Sequence, residues 1–254
     1  MSARQYPVSE SIAGRAAVVV GAAGGIGRAI AARLAEAGCR LGLIDLAPEA
    51  LEQVRRDLGG EVMACAADIT DRSQVDRAVQ EFAAKLGPTE MLVNAAGINT
   101  RERTLADMSP EQWEQVVAVD LNGVFHCTQA VLPRMRERGG GVIVTVVSTA
   151  ALWASPGAGA HYCATKRALL SLTESINIEE GRRGIRACAI CPGEVDTSLV
   201  DRRPQIPSVE RRAAMLRPED VAEAVMYVVT RPARVTVSEI VLWPLSQISG
   251  VYPV

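Results

Sequence analysis

Two side chains that can transfer protons lie one helical turn apart in this sequence. Tyr162 precedes Lys166 by four positions, and Ser148 ends an apolar run shortly before them. On an α-helix, residues with this spacing share a face. A lysine ammonium beside a phenol favours the phenolate, so we expect the pKa of Tyr162 to fall below its ordinary value of about 10. Such a tyrosine can act as a general acid and base, although an ordinary exposed helix face has the same spacing.

A glycine-rich turn near the start of the chain has the features of a dinucleotide site. The apolar run Ala16–Val20 leads directly into the segment GAAGGIG at residues 21–27, and a helical pattern follows. Such a turn lets the backbone approach a pyrophosphate at a helix N-terminus. Because the spacing differs from the common G-x-G-x-x-G pattern, the prediction depends on the strand before and the helix after. The cofactor-binding residues predicted here are Gly21, Gly25, Ile26 and Gly27.

Asp45 ends the second predicted strand, where an acidic residue reaches the adenosine ribose. A carboxylate there accepts a hydrogen bond from a free 2′-hydroxyl and repels a 2′-phosphate. No basic residue follows at Leu46 and Ala47, and Gly24 stands where an arginine would meet that phosphate. We therefore predict NAD rather than NADP, with Leu46 beside the cofactor. The alternative is that Asp45 caps the next helix.

The elements that must position these residues alternate along the chain. Short β-rich runs are followed by amphipathic segments, which predicts one α/β domain over residues 1–254 with a Rossmann-like, doubly wound parallel sheet of about seven strands and helices on both faces. The predicted strands are Ala16–Val20, Leu41–Asp45, Val62–Ala66, Met91–Asn94, Gly141–Val147, Ile185–Cys191 and Thr236–Leu242. The predicted helices are Ile26–Ala37, Pro48–Leu58, Arg72–Leu86, Glu111–Arg136, His161–Glu180 and Pro218–Thr230. An irregular stretch at about 197–217 is predicted to be a substrate loop.

Composition and charge favour a small-molecule partner. The net charge is −2, so there is no basic excess to attract nucleic acid or an anionic membrane. No segment approaches the roughly 18 apolar residues of a membrane span, and residues 1–10 lack the apolar core of a secretory signal. Six cysteines scattered through apolar sequence favour a reducing cytoplasm. We expect a cytoplasmic protein with no nucleic-acid or membrane partner.

The cysteines and histidines could have redox or metal-binding roles, but we interpret them as structural. Cys188 and Cys191 have the spacing of a redox pair, but in a strand their thiols face opposite sides and pack as small apolar groups. His126 and His161 show no ligand spacing with cysteines or carboxylates. No metal site is predicted.

In chain order, these features resemble the short-chain dehydrogenases/reductases. The resemblance rests on the glycine turn, Asn94-Ala95-Ala96-Gly97, Ser148, the Tyr162/Lys166 pair and Pro192-Gly193, and it covers about residues 12–245. It implies an NAD(H)-dependent oxidoreductase that interconverts a secondary alcohol and a ketone by hydride transfer. Tyr162 is then the general acid/base, Lys166 holds the nicotinamide ribose and lowers the tyrosine pKa, and Ser148 hydrogen-bonds the reacting oxygen.

The same resemblance implies further cofactor contacts. Asp68 and Ile69 follow the third strand and would meet the adenine. The other implied positions border the central sheet and the nicotinamide, and they are Asn94, Ala95, Gly97, Pro192, Gly193, Val195 and Thr197. An ordinary strand-end turn is the alternative for Asn94 and Gly97.

Asp120 occupies a position where the family usually has a catalytic asparagine. The carboxylate accepts hydrogen bonds but donates none unless it is protonated, and its charge favours Lys166 as the ammonium. We expect catalysis to survive with Asp120 as the fourth catalytic residue. A transfer of its role to Asn122 is disfavoured, because Asn122 lies on another helical face.

Substrate identity is not fixed by the sequence. The predicted pocket residues are Ser148, Trp153 and Tyr162, with a core or subunit contact as the alternative for Trp153. Four loop arginines either clamp an anionic group such as a carboxylate, phosphate or coenzyme A, or are solvated surface charge, and they are Arg202, Arg203, Arg211 and Arg212. Hydroxyacyl thioesters, hydroxy acids and simple alcohols all remain possible substrates.

The predicted function has alternatives, and the assembly of the chain is inferred from the resemblance. A 3-oxoacyl thioester reductase is one alternative, and a non-catalytic dinucleotide sensor on the same fold is another. A sugar-nucleotide epimerase is disfavoured, because few residues follow Pro192. The resemblance implies a homotetramer or homodimer joined through the helices Glu111–Arg136 and His161–Glu180, and the apolar tail 243–254 is a further candidate subunit contact.

Overall fold

The computed structural model describes residues 9–248, which form a seven-stranded parallel sheet. Its strand order is β3-β2-β1-β4-β5-β6-β7, and every neighbouring pair is parallel. The strands are β1 (Ala16–Val20), β2 (Arg40–Asp45), β3 (Val62–Ala66), β4 (Met91–Asn94), β5 (Gly141–Val146), β6 (Ile185–Pro192) and β7 (Glu239–Leu242). The order reverses between β1 and β4, and ligands bind at the carboxyl ends of the strands flanking such a switch point. The predicted Rossmann-like fold is confirmed.

Nine α-helices in the described part of the chain connect these strands. They are α1 (Gly25–Glu36), α2 (Pro48–Leu58), α3 (Arg72–Leu86), α4 (Pro110–Val117), α5 (Val124–Arg138), α6 (Ala160–Glu180), α7 (Val209–Ala213), α8 (Pro218–Val229) and α9 (Leu245–Ile248). None of the helices within residues 9–248 combines the length and apolar character needed to cross a membrane.

The core lies on both faces of the sheet. All five residues of β1 are buried, with Ala17 and Val19 packed on one face and Val18 and Val20 on the other. The first face is covered by α1, α2 and α8, and the second by α3 and α5. A strand buried on both sides needs a continuous apolar run rather than alternation, which is what β1 has. This packing confirms the prediction of helices on both faces.

The predicted helix Glu111–Arg136 is interrupted, which corrects the expectation of one continuous helix. Between α4 and α5, residues Ala118–Gly123 form a π-helical turn that carries the buried Asp120. Gly123 in this turn has no room for a side chain, since a Cβ there would lie 2.6 Å from the Ile69 side chain. Single π-helical turns often occur at functional sites.

Other differences are small. The start of β7 at Glu239 is later than predicted, and the loop at 197–217 contains a short 3₁₀ turn, Ser198–Arg202, as well as α7. Cys188 and Cys191 belong to separate apolar clusters. Burial raises the pKa of each of these thiols to about 12, which fits the structural interpretation. Of the predicted apolar tail, residues 249–254 lie outside the described residues.

Candidate active site

A cleft of about 590 Å³ opens at the carboxyl ends of the central strands. Its lining includes seven of the predicted cofactor-binding residues, namely Gly21, Asp45, Leu46, Asp68, Ile69, Ala95 and Gly97. It also includes five residues outside that predicted set, namely Val20, Gly24, Ala67, Ala96 and Ile98. Each of these five residues is adjacent in sequence to a predicted cofactor residue, and this adjacency is the feature of the sequence that could have identified them.

The glycine turn brings the backbone close enough to need glycine at two positions. Gly21 has a φ of +78°, and a Cβ there would lie 2.5 Å from the backbone nitrogen of Ala96. A Cβ on Gly27 would lie only 2.0 Å from the carbonyl oxygen of Gly21. The N-cap of α1 is Gly24, which has no side chain to occupy the free N–H groups of the first helical turn. These N–H groups and the space above them fit an anionic pyrophosphate.

Asp45 connects the glycine turn to the end of β2. Its Oδ2 accepts a hydrogen bond from the N–H of Ala23 at 2.9 Å, and its Oδ1 accepts one from the N–H of Ala47 at 3.1 Å. The N-cap of α2 is Ala47, so Asp45 does not serve as the cap of that helix. The carboxylate lines the cleft where a ribose would lie.

Other predicted cofactor residues lie at the margin of the cleft or outside it. Gly25 faces Thr197, whose methyl carbon would be 3.1 Å from a Cβ at Gly25, so the glycine turn meets the loop after β6. Val195 is buried and forms a β-bridge with Leu216. The predicted cofactor positions that do not line the cleft are Gly25, Ile26, Gly27, Asn94, Tyr162, Lys166, Pro192, Gly193, Val195 and Thr197. Asn94 donates to Thr145 Oγ1 at 3.5 Å.

The structure brings Ser148, Tyr162 and Lys166 together at the start of α6. Lys166 Nζ lies 5.3 Å from the centre of the Tyr162 ring. The Ser148 hydroxyl is close enough to stabilise the phenolate of Tyr162 and also accepts a hydrogen bond from the N–H of Ala150. These side chains adjoin the cleft through Gly97, where a Cβ would lie 3.2 Å from Lys166 Nζ.

The expectation of a lowered Tyr162 pKa is wrong. Burial raises the pKa of Tyr162, and the negative charge of Asp120 raises it further. Lys166, Ser148 and Arg103 act in the opposite direction but do not outweigh these effects. The sequence spacing identified the lysine, whereas the burial of the phenol depends on the tertiary fold.

Asp120 forms a buried ion pair with Lys166. Its Oδ2 lies 3.0 Å from Lys166 Nζ, and the two side chains are 0% and 3% exposed. Its Oδ1 accepts a hydrogen bond from the N–H of Ile98 at 2.8 Å. Burial alone lowers the pKa of Lys166, but the attraction of Asp120 and Tyr162 outweighs burial and raises that pKa. Lys166 is therefore held as the ammonium, and Asn122 is exposed and takes no part in this pair.

The loop arginines are mostly committed to carboxylates of the protein. Arg203 and Arg211 both pair with Glu194, at 2.5 and 2.9 Å. Arg212 pairs with Asp196 and Asp201. Arg202 is exposed, which leaves the solvated interpretation in better agreement with the structure than a four-arginine clamp.

Trp153 lies at the surface rather than in the core. Its side chain is 41% exposed, and its ring lies 5.5 Å from that of Trp243. The histidines have structural contacts, with His126 Nδ1 2.9 Å from the carbonyl oxygen of Ile69 and His161 Nε2 2.7 Å from Thr100 Oγ1. Within residues 9–248, no group of three potential ligands could hold a metal.

Comparison with known proteins places this geometry in a family. The family model described as short chain dehydrogenase matches residues 15–206. A 2-(R)-hydroxypropyl-CoM dehydrogenase from Xanthobacter autotrophicus is 36% identical over 226 residues, which are 84% of this chain and 90% of that protein. Glycine betaine reductase ATRR from Emericella nidulans is 32% identical over 241 residues, but the match covers 92% of this chain and only 19% of that longer protein.

Two solved structures have the same fold over nearly their whole length. A 3-ketoacyl-(acyl-carrier-protein) reductase from Brucella melitensis complexed with NADH has a TM-score of 0.85 and 30% identity, covering 92% of this chain and 99% of the other. An alcohol dehydrogenase from Thermococcus sibiricus complexed with 5-hydroxy-NADP has a TM-score of 0.83 and 29% identity, covering 92% and 97%. Both of these relatives were solved with a nicotinamide dinucleotide.

Proposed function

The chain belongs to the short-chain dehydrogenase family, and we propose that it is an NAD(H)-dependent oxidoreductase interconverting a secondary alcohol and a ketone. The observation that carries the proposal is the grouping of Ser148, Tyr162 and Lys166 next to a glycine-lined cleft. A hydroxyl, a phenol and an ammonium are the groups that proton transfer to a carbonyl oxygen requires.

Each side chain has a distinct task in this proposal. A bound nicotinamide supplies the hydride acceptor for oxidation or the hydride donor for reduction. Tyr162 donates its proton to the carbonyl oxygen in reduction and accepts the alcohol proton in oxidation. Ser148 donates a hydrogen bond to the same oxygen and stabilises its developing negative charge. Lys166, kept as the ammonium by Asp120, counteracts the burial that disfavours the phenolate.

NAD is the proposed cofactor because of Asp45. Its carboxylate lines the cleft at the end of β2, where it would accept a hydrogen bond from a free ribose hydroxyl and repel a 2′-phosphate. Known relatives include one complexed with NADH and another with an NADP derivative, so the family alone leaves the choice open. We expect kcat/KM to be higher with NAD than with NADP, and a clear NADP preference would overturn this assignment.

A 3-oxoacyl thioester reductase is the second candidate. It is favoured by the likeness to the 3-ketoacyl-(acyl-carrier-protein) reductase, at 30% identity over 92% of the chain. A non-catalytic sensor is disfavoured because the three catalytic side chains are all present and adjacent. A panel of secondary alcohols, hydroxy acids and hydroxyacyl thioesters offered with NAD separates the three, since a sensor binds NADH without turning over any of them.

We also propose that the chain acts in the cytoplasm as a homodimer or homotetramer. The helices named in the sequence prediction expose large apolar side chains, with Trp113 on α4 40% exposed, Phe125 on α5 44% and Ile178 on α6 81%. Exposed apolar side chains of this size are typical of subunit interfaces. Light scattering on the purified protein measures the number of subunits directly.

A further inference from the structure

Arg103 is a buried cation that has no carboxylate partner among residues 9–248. It follows β4 and is 8% exposed. Its Nε donates to the carbonyl oxygen of Thr100 at 3.0 Å, and its Nη1 donates to the carbonyl oxygen of Gly157. Within residues 9–248, no carboxylate forms an ion pair with it, and its Nη2 has no hydrogen-bond acceptor. Buried charges are usually paired, so this guanidinium has unused capacity for an anion.

A second buried arginine shows what a purely structural guanidinium looks like in this chain. Arg186 is 7% exposed and also lacks a carboxylate. Its two terminal nitrogens donate to three carbonyl oxygens, those of Arg231, Pro232 and Val235. Both of its Nη atoms are used and its buried Nε has no partner among the described residues. Arg103 uses Nε and Nη1, and its Nη2 has no acceptor within residues 9–248.

The position of Arg103 connects it to the reacting centre. It contacts the segment that leads into the catalytic helix, because a Cβ on Gly159 would lie 3.1 Å from the Cβ of Arg103. Its positive charge stabilises the phenolate of Tyr162, and it experiences repulsion from Arg203 of the loop at 197–217. The guanidinium is thus next to the segment that precedes the catalytic helix and within electrostatic reach of both Tyr162 and Arg203.

We propose that Arg103, together with Arg203, forms a subsite for a carboxylate on the alcohol or ketone substrate. The planar guanidinium donates two parallel N–H bonds to a carboxylate, and a ligand there would supply the missing negative charge. Arg203 shares Glu194 with Arg211, so its own charge is only partly neutralised. This inference rests on the proposed alcohol dehydrogenase activity and narrows its substrates to hydroxy acids and oxo acids.

The test compares each acid with its uncharged isostere. A series of 3-hydroxyalkanoates and the matching 3-hydroxyamides is assayed with NAD, and kcat/KM is measured for both members of each pair. We expect the wild-type protein to prefer the acids. The Arg103→Met variant should lose about tenfold or more of that preference, because a hydrogen bond to a charged group contributes about 1.5–3 kcal/mol. Arg103→Lys should keep part of it.

Arg101→Met is the matched control. Arg101 is an exposed arginine on the same loop, so its removal changes the net charge equally without touching the subsite. The control should leave the acid-to-amide ratio unchanged. If Arg103→Met lowers kcat/KM equally for acids and amides, Arg103 only stabilises the loops that contain Thr100 and Gly157, and the subsite does not exist.

The outcomes of the two proposals can be told apart. Turnover of uncharged secondary alcohols, with no preference for any acid over its amide, overturns the subsite and leaves the proposed function standing. Absence of NAD-dependent turnover for uncharged and charged alcohols alike overturns the proposed function itself.

Discussion

The buried pair of Asp120 and Lys166 controls the charge next to the phenol of Tyr162. A carboxylate 3.0 Å from the ammonium keeps Lys166 protonated, but the same negative charge opposes ionisation of Tyr162. Lys166 therefore favours the phenolate of Tyr162, whereas Asp120 disfavours it. The sequence predicted the first effect from helical spacing. The effect of Asp120 on Tyr162 depends on burial in the π-helical turn, where Asp120 has no exposed surface.

Replacing Asp120 with asparagine should move the pH profile of alcohol oxidation to lower pH. Oxidation needs Tyr162 as the phenolate, so the rate rises as pH passes the pKa of Tyr162. Removing the Asp120 charge lowers that pKa, and the rising limb of kcat/KM at saturating NAD should shift to lower pH. Asparagine preserves the acceptor for the Ile98 N–H. An unchanged rate and profile would remove Asp120 from the mechanism.

At the scale of elements, the glycine turn determines how closely β1 and α1 approach the cofactor. The strands β1, β3 and β4 have the bounds that the sequence predicted, because each is a short β-rich run preceded by a charged residue, namely Arg15, Glu61 or Glu90. The π-helical turn could not be predicted in this way, since its sequence continues the periodicity of an ordinary helix. The turn carries Asp120, which pairs with Lys166 on α6, a tertiary contact that the periodicity does not reveal.

Gly27→Ala should disrupt the turn. The added Cβ would lie 2.0 Å from the Gly21 carbonyl oxygen, so the backbone must move. We expect weaker NADH binding in a fluorescence titration and a free energy of unfolding lower by about 1–3 kcal/mol. Gly181→Ala is the control, because a Cβ there meets nothing within 4 Å and its φ of −56° suits alanine. Equal effects of the two variants on NADH binding would show that the close backbone approach at Gly27 is not needed to bind NADH.

At the scale of the whole molecule, one sheet brings distant sequence motifs to a common edge. The glycine turn, Asp45, Asp68 and Gly97 line one cleft because their parallel strands end on the same side. The doubly wound parallel fold was predictable from the alternation of strands and helices and from the order of the motifs. The free guanidinium of Arg103 was not, because its significance depends on the absence of a carboxylate around it within the described residues.

Ile178→Glu should reduce the subunit number if α6 forms an interface. Ile178 is 81% exposed on that helix, so a charged replacement leaves the fold of one subunit intact but repels a partner surface. Light scattering should report a smaller species than for the wild type. Ile206→Glu is the control, since Ile206 is 66% exposed but belongs to the loop at 197–217 rather than to α6. An assembly unchanged by Ile178→Glu would place the interface elsewhere.

The most direct test of the account is NADH formation by the wild-type protein and by Tyr162→Phe, each given NAD and a panel of secondary alcohols. We predict NAD-dependent oxidation of at least one alcohol, reduced by about 10²–10⁴-fold in the variant, which lacks the transferable proton but still binds NADH. Turnover that survives in Tyr162→Phe, or NADH binding without turnover of any alcohol by the wild type, would contradict it.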